Sequence, residues 1–194
     1  IGADEVLVRT AALYHDIGKS VNPLCFVENE QQGEDYHKSL DAKESAKAII
    51  RHVTDGLALA EKYKLPRVLR EFITTHHGTT RTAYFYNTYV NNGGDPEDVA
   101  DFMYPGPRPT TREQVILMIS DALEAASRTL KDKTPNGISE LVDRILLGKF
   151  QEQQFNDSDI TIKELTIMSE TLKEYIQQVY HARVVYPKAR KTKK

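Results

Sequence analysis

The stretch Leu13-Tyr14-His15-Asp16-Ile17-Gly18-Lys19 concentrates reactive residue types. A histidine beside an aspartate offers two metal ligands from adjacent positions, and the two oxygens of the aspartate can bridge two ions. Gly18 lets the backbone turn away sharply, and Lys19 places a cation where a phosphate could sit. A lone His-Asp pair is also compatible with polar punctuation at a helix end, so the remaining histidines and carboxylates carry the decision. The apolar stripe Val68, Leu69, Phe72, Ile73, continued by four residues, lands on His76 and His77. Two adjacent core-facing imidazoles need hydrogen bonds or a metal, because buried polar groups without partners are costly. A satisfied core pair is the alternative. His52 lies at the edge of the stripe Ala42, Ala46, Ile49, Ile50, Val53, Leu57, Ala60. Asp121 interrupts a helix that is apolar over most of its circumference, where a carboxylate requires a partner or an ion. An Asp121–Arg128 or Glu124–Arg128 ion pair is the competing explanation. His37 reads as a loop residue and His181 as structural.

These side chains must be positioned by helices. Residues 5 to 16 are expected to form the first, with Asp4 as its cap and His15-Asp16 at its end. Residues 20 to 38 read as a loop enclosing the apolar patch Leu24-Cys25-Phe26-Val27. Asp41-Ala42-Lys43-Glu44 is a capping box that starts a long helix. Pro66 opens the next, which Gly78 closes. Residues 79 to 109 read as irregular and unusually aromatic, with Tyr84, Phe85, Tyr86, Tyr89, Phe102 and Tyr104 either packing beneath a loop or forming a wall for flat bases, a contact worth ~1–3 kcal/mol per base. Thr110-Thr111-Arg112-Glu113 reads as a second capping box before a deeply buried helix. Residues 138 to 150 and 162 to 181 read as two more amphipathic helices, the last starting at the box Thr161-Ile162-Lys163-Glu164. No internal repeat and no convincing strand emerges. The expected fold class is all-α, one domain over residues 1–187, with a basic disordered tail at 188–194.

Composition sets outer bounds. Hydrophobic residues make up 40% and charged residues 28%, as in ordinary globular domains. The formal net charge of -2 argues against a general binder of large nucleic acids, though not against a small phosphorylated ligand. Cys25 is the only cysteine, which excludes an internal disulfide and a cysteine-rich zinc site and fits a reducing, cytoplasmic setting. No apolar run approaches the ~20 residues needed to span a bilayer, and there is no signal peptide. The opening Ile1-Gly2-Ala3-Asp4 reads as a cut through a longer protein.

His15, Asp16, His52, His76, His77 and Asp121 form a mixed imidazole and carboxylate set, which suits iron, manganese or zinc. A bridging carboxylate between two such groups suggests a two-metal site for in-line displacement at phosphorus. Here a family resemblance enters. Tyr14-His15-Asp16-Ile17-Gly18-Lys19, Asn22-Pro23 with Phe26-Val27-Glu28-Asn29, His52-Val53-Thr54-Asp55-Gly56, His76-His77-Gly78-Thr79-Thr80, Tyr104-Pro105-Gly106-Pro107, Asp121 with Glu124-Ala125-Ala126, Tyr180-His181-Ala182-Arg183 and Tyr186-Pro187 together resemble an HD-domain phosphohydrolase. More narrowly, they resemble the cytoplasmic HD domain of the seven-transmembrane HD proteins, the PgpH-type cyclic di-AMP phosphodiesterases of bacteria. The match covers nearly the whole chain.

The resemblance implies an HD-domain helical bundle, two divalent transition-metal ions (iron or manganese), and a parent protein embedded in the bacterial inner membrane. It implies one ion held by His15, Asp16 and Asp121 and the other by His52, His76 and His77, with Asp16 bridging. A bridging hydroxide would attack phosphorus and open cyclic di-AMP to linear pApA, with Asp16 and Lys19 as the catalytic groups. Substrate contacts are expected from Lys19, Thr79, Tyr84, Tyr86, Tyr104 and Arg128. A nucleotidase, another cyclic-dinucleotide hydrolase, or a sensing module that binds nucleotide without hydrolysis are the alternatives. The family also draws a ligand of the first ion from a histidine on an upstream helix. No histidine precedes His15, so the expectation is a weaker first ion and slower turnover than in a version including that helix.

Overall fold

The computed structural model describes residues 1–26 and 36–181. The Val27-Glu28-Asn29 part of the motif, the segment from Ala182 onward with its basic end, and the side chain of His181 lie outside the described residues. Among the described residues seven α-helices follow in order: α1 (Glu5–Tyr14), α2 (Ala42–Lys62), α3 (Arg67–Thr75), α4 (Ala83–Asn91), α5 (Arg112–Arg128), α6 (Pro135–Gln151) and α7 (Ile162–His181). Short 3-10 turns occupy Ile17–Val21, Pro23–Cys25, Tyr36–Ser39 and Pro96–Phe102. Among the described residues there is no strand, only an isolated bridge between Arg81 and Met103. The all-α expectation stands.

Local chemistry fixes most helix starts. The Asp4 side chain accepts from Leu7 N at 3.0 Å and caps α1. Asp41 and Glu44 close a reciprocal box on α2, and Thr161 and Glu164 do the same on α7. The box expected at Thr110–Glu113 is displaced by one residue. Thr111 caps α5 by accepting from Gln114 N, and the Gln114 amide takes the Thr110 N–H at 2.8 Å. Glu113 instead accepts from Asp4 N, tying the start of α1 to α5. Helix α6 begins three residues earlier than expected, because Thr134 caps it and Pro135 fits the first turn.

The expectation of an irregular segment over 79–109 is corrected. Residues Ala83–Asn91 form α4, and a 3-10 turn follows. The segment is rich in Tyr, Phe, Thr and Val, which favour helix weakly. Packing supplies the difference: the rings of Tyr86 and Tyr89 lie 5.5 and 5.3 Å from that of Phe102, which is fully buried.

Two apolar clusters hold the molecule, and α5 serves both. Val115, Ile119 and Leu123 of α5 pack with Ile138, Leu141 and Val142 of α6 and with Met168 and Ile176 of α7. Leu117 of α5 joins Ala11 of α1 and Leu69 and Phe72 of α3. Asp121 lies on α5 between these faces. The turn after α1 presses against α2 so tightly that a Cβ on Gly18 would fall 1.9 Å from the carbonyl oxygen of His52 and 2.5 Å from Gly56 N. Gly18 is thus required for close approach of two backbones, not for a sharp turn, since its φ lies outside the left-handed region.

Candidate metal centre

His15 and Asp16 leave the end of α1, His52 projects from the middle of α2, His76 and His77 follow the last turn of α3, and Asp121 comes from α5. These four segments converge. The ligand atoms of His52, His76 and His77 lie within 4.8 Å of one another, and so do those of His15, Asp16 and Asp121. Asp16 stands between the two groups. Its Oδ1 is 3.4 Å from His52 Nε2 and 3.6 Å from His76 Nε2, while its Oδ2 is 3.3 Å from His15 Nε2. Asp121 also spans them, with Oδ1 3.5 Å from His15 Nε2 and Oδ2 3.9 Å from His77 Nδ1.

The ring orientations test whether cations fit. His15 Nδ1 faces the Ala12 carbonyl at 3.0 Å, His52 Nδ1 that of Ile49 at 2.7 Å, and His76 Nδ1 that of Ile73 at 2.9 Å. A carbonyl oxygen only accepts, so in each neutral ring Nδ1 carries the hydrogen and Nε2 presents its lone pair inward. The Nε2 atoms of His52 and His76 then face each other at 3.1 Å as two lone pairs. Such a contact is repulsive unless a cation lies against both. His15 Nε2 and Asp16 Oδ1 are buried and have no partner of hydrogen-bond geometry among the described residues. The donor set fits one divalent ion at each group.

Electrostatics divides the two groups. Burial would lower the pKa of His15, but the carboxylates of Asp121 and Asp16 outweigh it and push it up to about 10. Asp16 is buried too, yet His15, Lys19 and His76 hold its carboxyl well below the usual range. Burial, with the charges of His15 and His52, brings His76 down to about 4, and it lowers His52 and His77 in the same direction. The imidazoles of the second group are therefore neutral and ready to ligate at pH 7.

A cleft of about 490 Å³ opens over the two groups, within the size range of small-molecule sites. His15, Asp16, Lys19, His52, His77, Tyr104, Asp121, Glu124 and Arg128 line it. Lys19 Nζ lies 2.8 Å from Asp16 Oδ2 and over the ring of Phe26. Tyr104 stacks on His77 with centroids 4.1 Å apart. The Glu124–Arg128 pair exists at 2.8 Å, yet it leaves Asp121 to the histidines. Of the expected substrate contacts, Lys19, Tyr104 and Arg128 reach this cleft. Thr79, Tyr84 and Tyr86 do not line it. Tyr84 borders a separate cleft with His37, Tyr86 bonds the Pro96 carbonyl and packs on Phe102, and Thr79 is engaged by Gln154. Tyr86 thus packs against the Pro96–Phe102 turn.

Sequence reasoning missed two residues near the C-terminal end of α6. The half-buried Lys149 adds positive charge near His77 and Asp121, and desolvation lowers its own pKa. Gln154 is 1% exposed and grips the turn after His77. It sits in the polar run Gln151-Glu152-Gln153-Gln154, where residue type alone marks none of the four.

Comparison with known proteins gives this geometry a lineage. The HD domain family matches residues 1–126. The chain is 39% identical over 187 residues to the cyclic-di-AMP phosphodiesterase PgpH of Listeria monocytogenes, covering 96% of this chain and 26% of that protein. It is 37% identical over 191 residues to PgpH of Bacillus subtilis, covering 98% of this chain and 27% of that one. It therefore spans about a quarter of the length of these relatives. The crystal structure of the L. monocytogenes PgpH HD domain superposes with a TM-score of 0.85 at 38% identity, over 93% of this chain and 84% of that one. The same domain in complex with cyclic-di-AMP gives 0.85 over 92% and 83%. The chain belongs to the HD-domain family, in the group represented by the PgpH HD domain.

Proposed function

We propose that this domain is a metal-dependent phosphodiesterase that hydrolyses cyclic di-AMP to linear pApA. One observation carries the reading: Asp16 offers one carboxylate oxygen to each of two convergent ligand groups, on the floor of a cleft that also holds Lys19 and Arg128. The relative solved with cyclic-di-AMP shares this fold at 38% identity.

His15, Asp16 and Asp121 would hold one divalent ion, and His52, His76 and His77 with Asp16 the other. Imidazole and carboxylate donors suit iron or manganese. Two bound ions would supply an activated water at neutral pH and neutralise charge developing on the phosphoryl oxygens. The chain's own residues do the rest. Carbonyls of Ala12, Ile49 and Ile73 lock three rings in the ligating tautomer. Lys19, anchored by Asp16, brings its ammonium to the cleft beside the place of a bound phosphodiester. Arg128, tethered by Glu124 at the rim, provides a second cation. Tyr104 backs His77 and closes the cleft wall.

No helix among the described residues is long and apolar enough to cross a membrane. Placement in the cytoplasm, as part of a longer membrane-embedded parent, is part of the proposal and rests on the much greater length of the relatives. The test is turnover by the manganese- or iron-loaded chain on a panel of cyclic di-AMP, cyclic di-GMP and nucleoside monophosphates. Formation of pApA is the expected result. Release of inorganic phosphate from monophosphates alone would make the domain a nucleotidase, and tight cyclic di-AMP binding without turnover would make it a sensor.

A further inference from the structure

We propose that Gln154 is a positioning residue for the metal centre: it fixes the turn from His76 to Thr79 and with it the seat of His77. The inference rests on the metal reading above and extends it to a residue from the α6–α7 half of the molecule, beyond the residues that the HD family matches.

The Gln154 side chain is fully engaged. Its Oε1 accepts the Thr79 N–H at 3.0 Å, and its Nε2 donates to Thr79 Oγ1 at 3.0 Å and to the Glu152 carbonyl at 2.8 Å. Its backbone N–H is bonded to the Lys149 carbonyl at 2.9 Å, so the grip is anchored on the end of α6. The gripped turn is shaped for it. Gly78 has a φ of +54°, and a Cβ there would lie 2.3 Å from Gln154 Oε1. Only glycine lets the amide reach the backbone at that point.

His77 depends on this turn more than its neighbours depend on theirs. The rings of His15, His52 and His76 are each oriented by a backbone carbonyl within their own helical turn. Among the described residues His77 has no such bond. Its ring is set by stacking on Tyr104, by the His76 ring 4.0 Å away, by Asp121 Oδ2 at 3.9 Å and by where the backbone places it. Gln154 holds that backbone two residues downstream. Loss of the grip leaves the Thr79 N–H without its partner and the turn held only by its own bonds, from Gly78 N–H to the Thr75 carbonyl and from Thr80 to the His77 carbonyl. His52 and His76 keep their orientation, and the second ion would lose one well-placed histidine of three.

Cobalt(II) is the probe, titrated into paired variants so that each ion is read alone. In a His15→Ala background, Gln154→Met should weaken cobalt binding by ~10–100-fold, as loss of a supporting contact does at other metal sites. In a His77→Ala background the same substitution should leave binding unchanged. Should Gln154→Met fail to fold by circular dichroism, Gln154→Asn, which withdraws the amide by one methylene, makes the same comparison. Equal weakening in both backgrounds would reduce Gln154 to general scaffolding and overturn the proposal. No weakening in the His15→Ala background would overturn it as well. Absence of cobalt binding by the unsubstituted chain is a distinct result: it removes the metal reading and takes this proposal with it.

Discussion

His15 and His76 are the same side chain held in opposite states, and the difference has a measurable consequence. Without a cation, the carboxylates of Asp121 and Asp16 outweigh burial and keep the His15 imidazole protonated up to about pH 10. Burial and the neighbouring charges keep His76 neutral down to about pH 4. A metal competes with the proton for Nε2. At pH 7.5 an ion entering the His15 group must therefore displace a proton, while one entering the His52, His76 and His77 group displaces none. Calorimetric titration in buffers of different ionisation enthalpy should show about one proton released in a His77→Ala variant, which keeps the first group, and about none in His15→Ala. The affinity of the first group should fall with each unit of pH below about 10, while that of the second stays level across neutral pH. Equal proton release in the two variants would contradict this division. Asp16 is the residue common to both groups. Asp16→Ala should abolish turnover of cyclic di-AMP while the helical circular dichroism persists, and a variant with near wild-type turnover would exclude the shared-carboxylate mechanism.

At the scale of elements, the site depends on how closely the Ile17–Val21 turn lies against α2. A methyl group at Gly18 meets backbone on two sides, at 1.9 and 2.5 Å, and backbone does not yield as a flexible side chain does. The turn would have to retreat, carrying His15 and Asp16 away from His52. Gly18→Ala should cost at least the ~1–3 kcal/mol typical of overpacking, read by urea denaturation, and should weaken both ions together. At Gly56 a methyl group meets the tip of Ile73 at 3.0 Å and Gly18 N at 3.2 Å, so Gly56→Ala should be the milder of the two. The reverse order would mean that the turn is not the rigid partner. These contacts mark where the sequence stops being legible. The rims of α2 and α7 could be read from Asp41–Glu44 and Thr161–Glu164, since caps are local chemistry. His76, His77 and Asp121 stood out because such groups are expensive on apolar faces, His15 and Asp16 because they are adjacent ligand types, and His52, at the edge of its stripe, gained weight only with the family resemblance. Helix α4 could not be read, because Ala83–Asn91 favours helix only once Tyr86 and Tyr89 rest on Phe102. The close approach at Gly18 and the grip of Gln154 join residues 38 and 75 positions apart, and no local pattern encodes either.

Among the described residues two apolar clusters share α5, and the metal groups are drawn from four segments, α5 among them. An ion in the first group would tie the end of α1 to α5, and one in the second would tie α2 to α3 and, through Asp16, to the end of α1; either site exists only in the folded chain, so binding must stabilise the fold by mass action. Each tenfold rise in free metal above the dissociation constant adds ~1.4 kcal/mol for every saturated ion. For a chain of 194 residues, ~1 kcal/mol moves Tm by about 2–4 °C. One saturated ion should therefore raise Tm by about 3–6 °C per decade of free metal, and two by about twice that. The groups do not fill together at neutral pH, because the first must surrender the His15 proton and the second need not. A plot of Tm against the logarithm of free manganese(II), buffered by a chelator, should thus begin flat. It should then rise with the slope for one ion and steepen to about double once the first group fills. In His77→Ala the early rise should be weakened, and in Asp121→Ala the late steepening should vanish. Binding of metal to unfolded histidines would lower both slopes without altering their ratio in this comparison. A single slope across the whole range, unchanged in Asp121→Ala, would restrict the chain to one ion and remove the two-metal mechanism, whatever the fate of the HD fold.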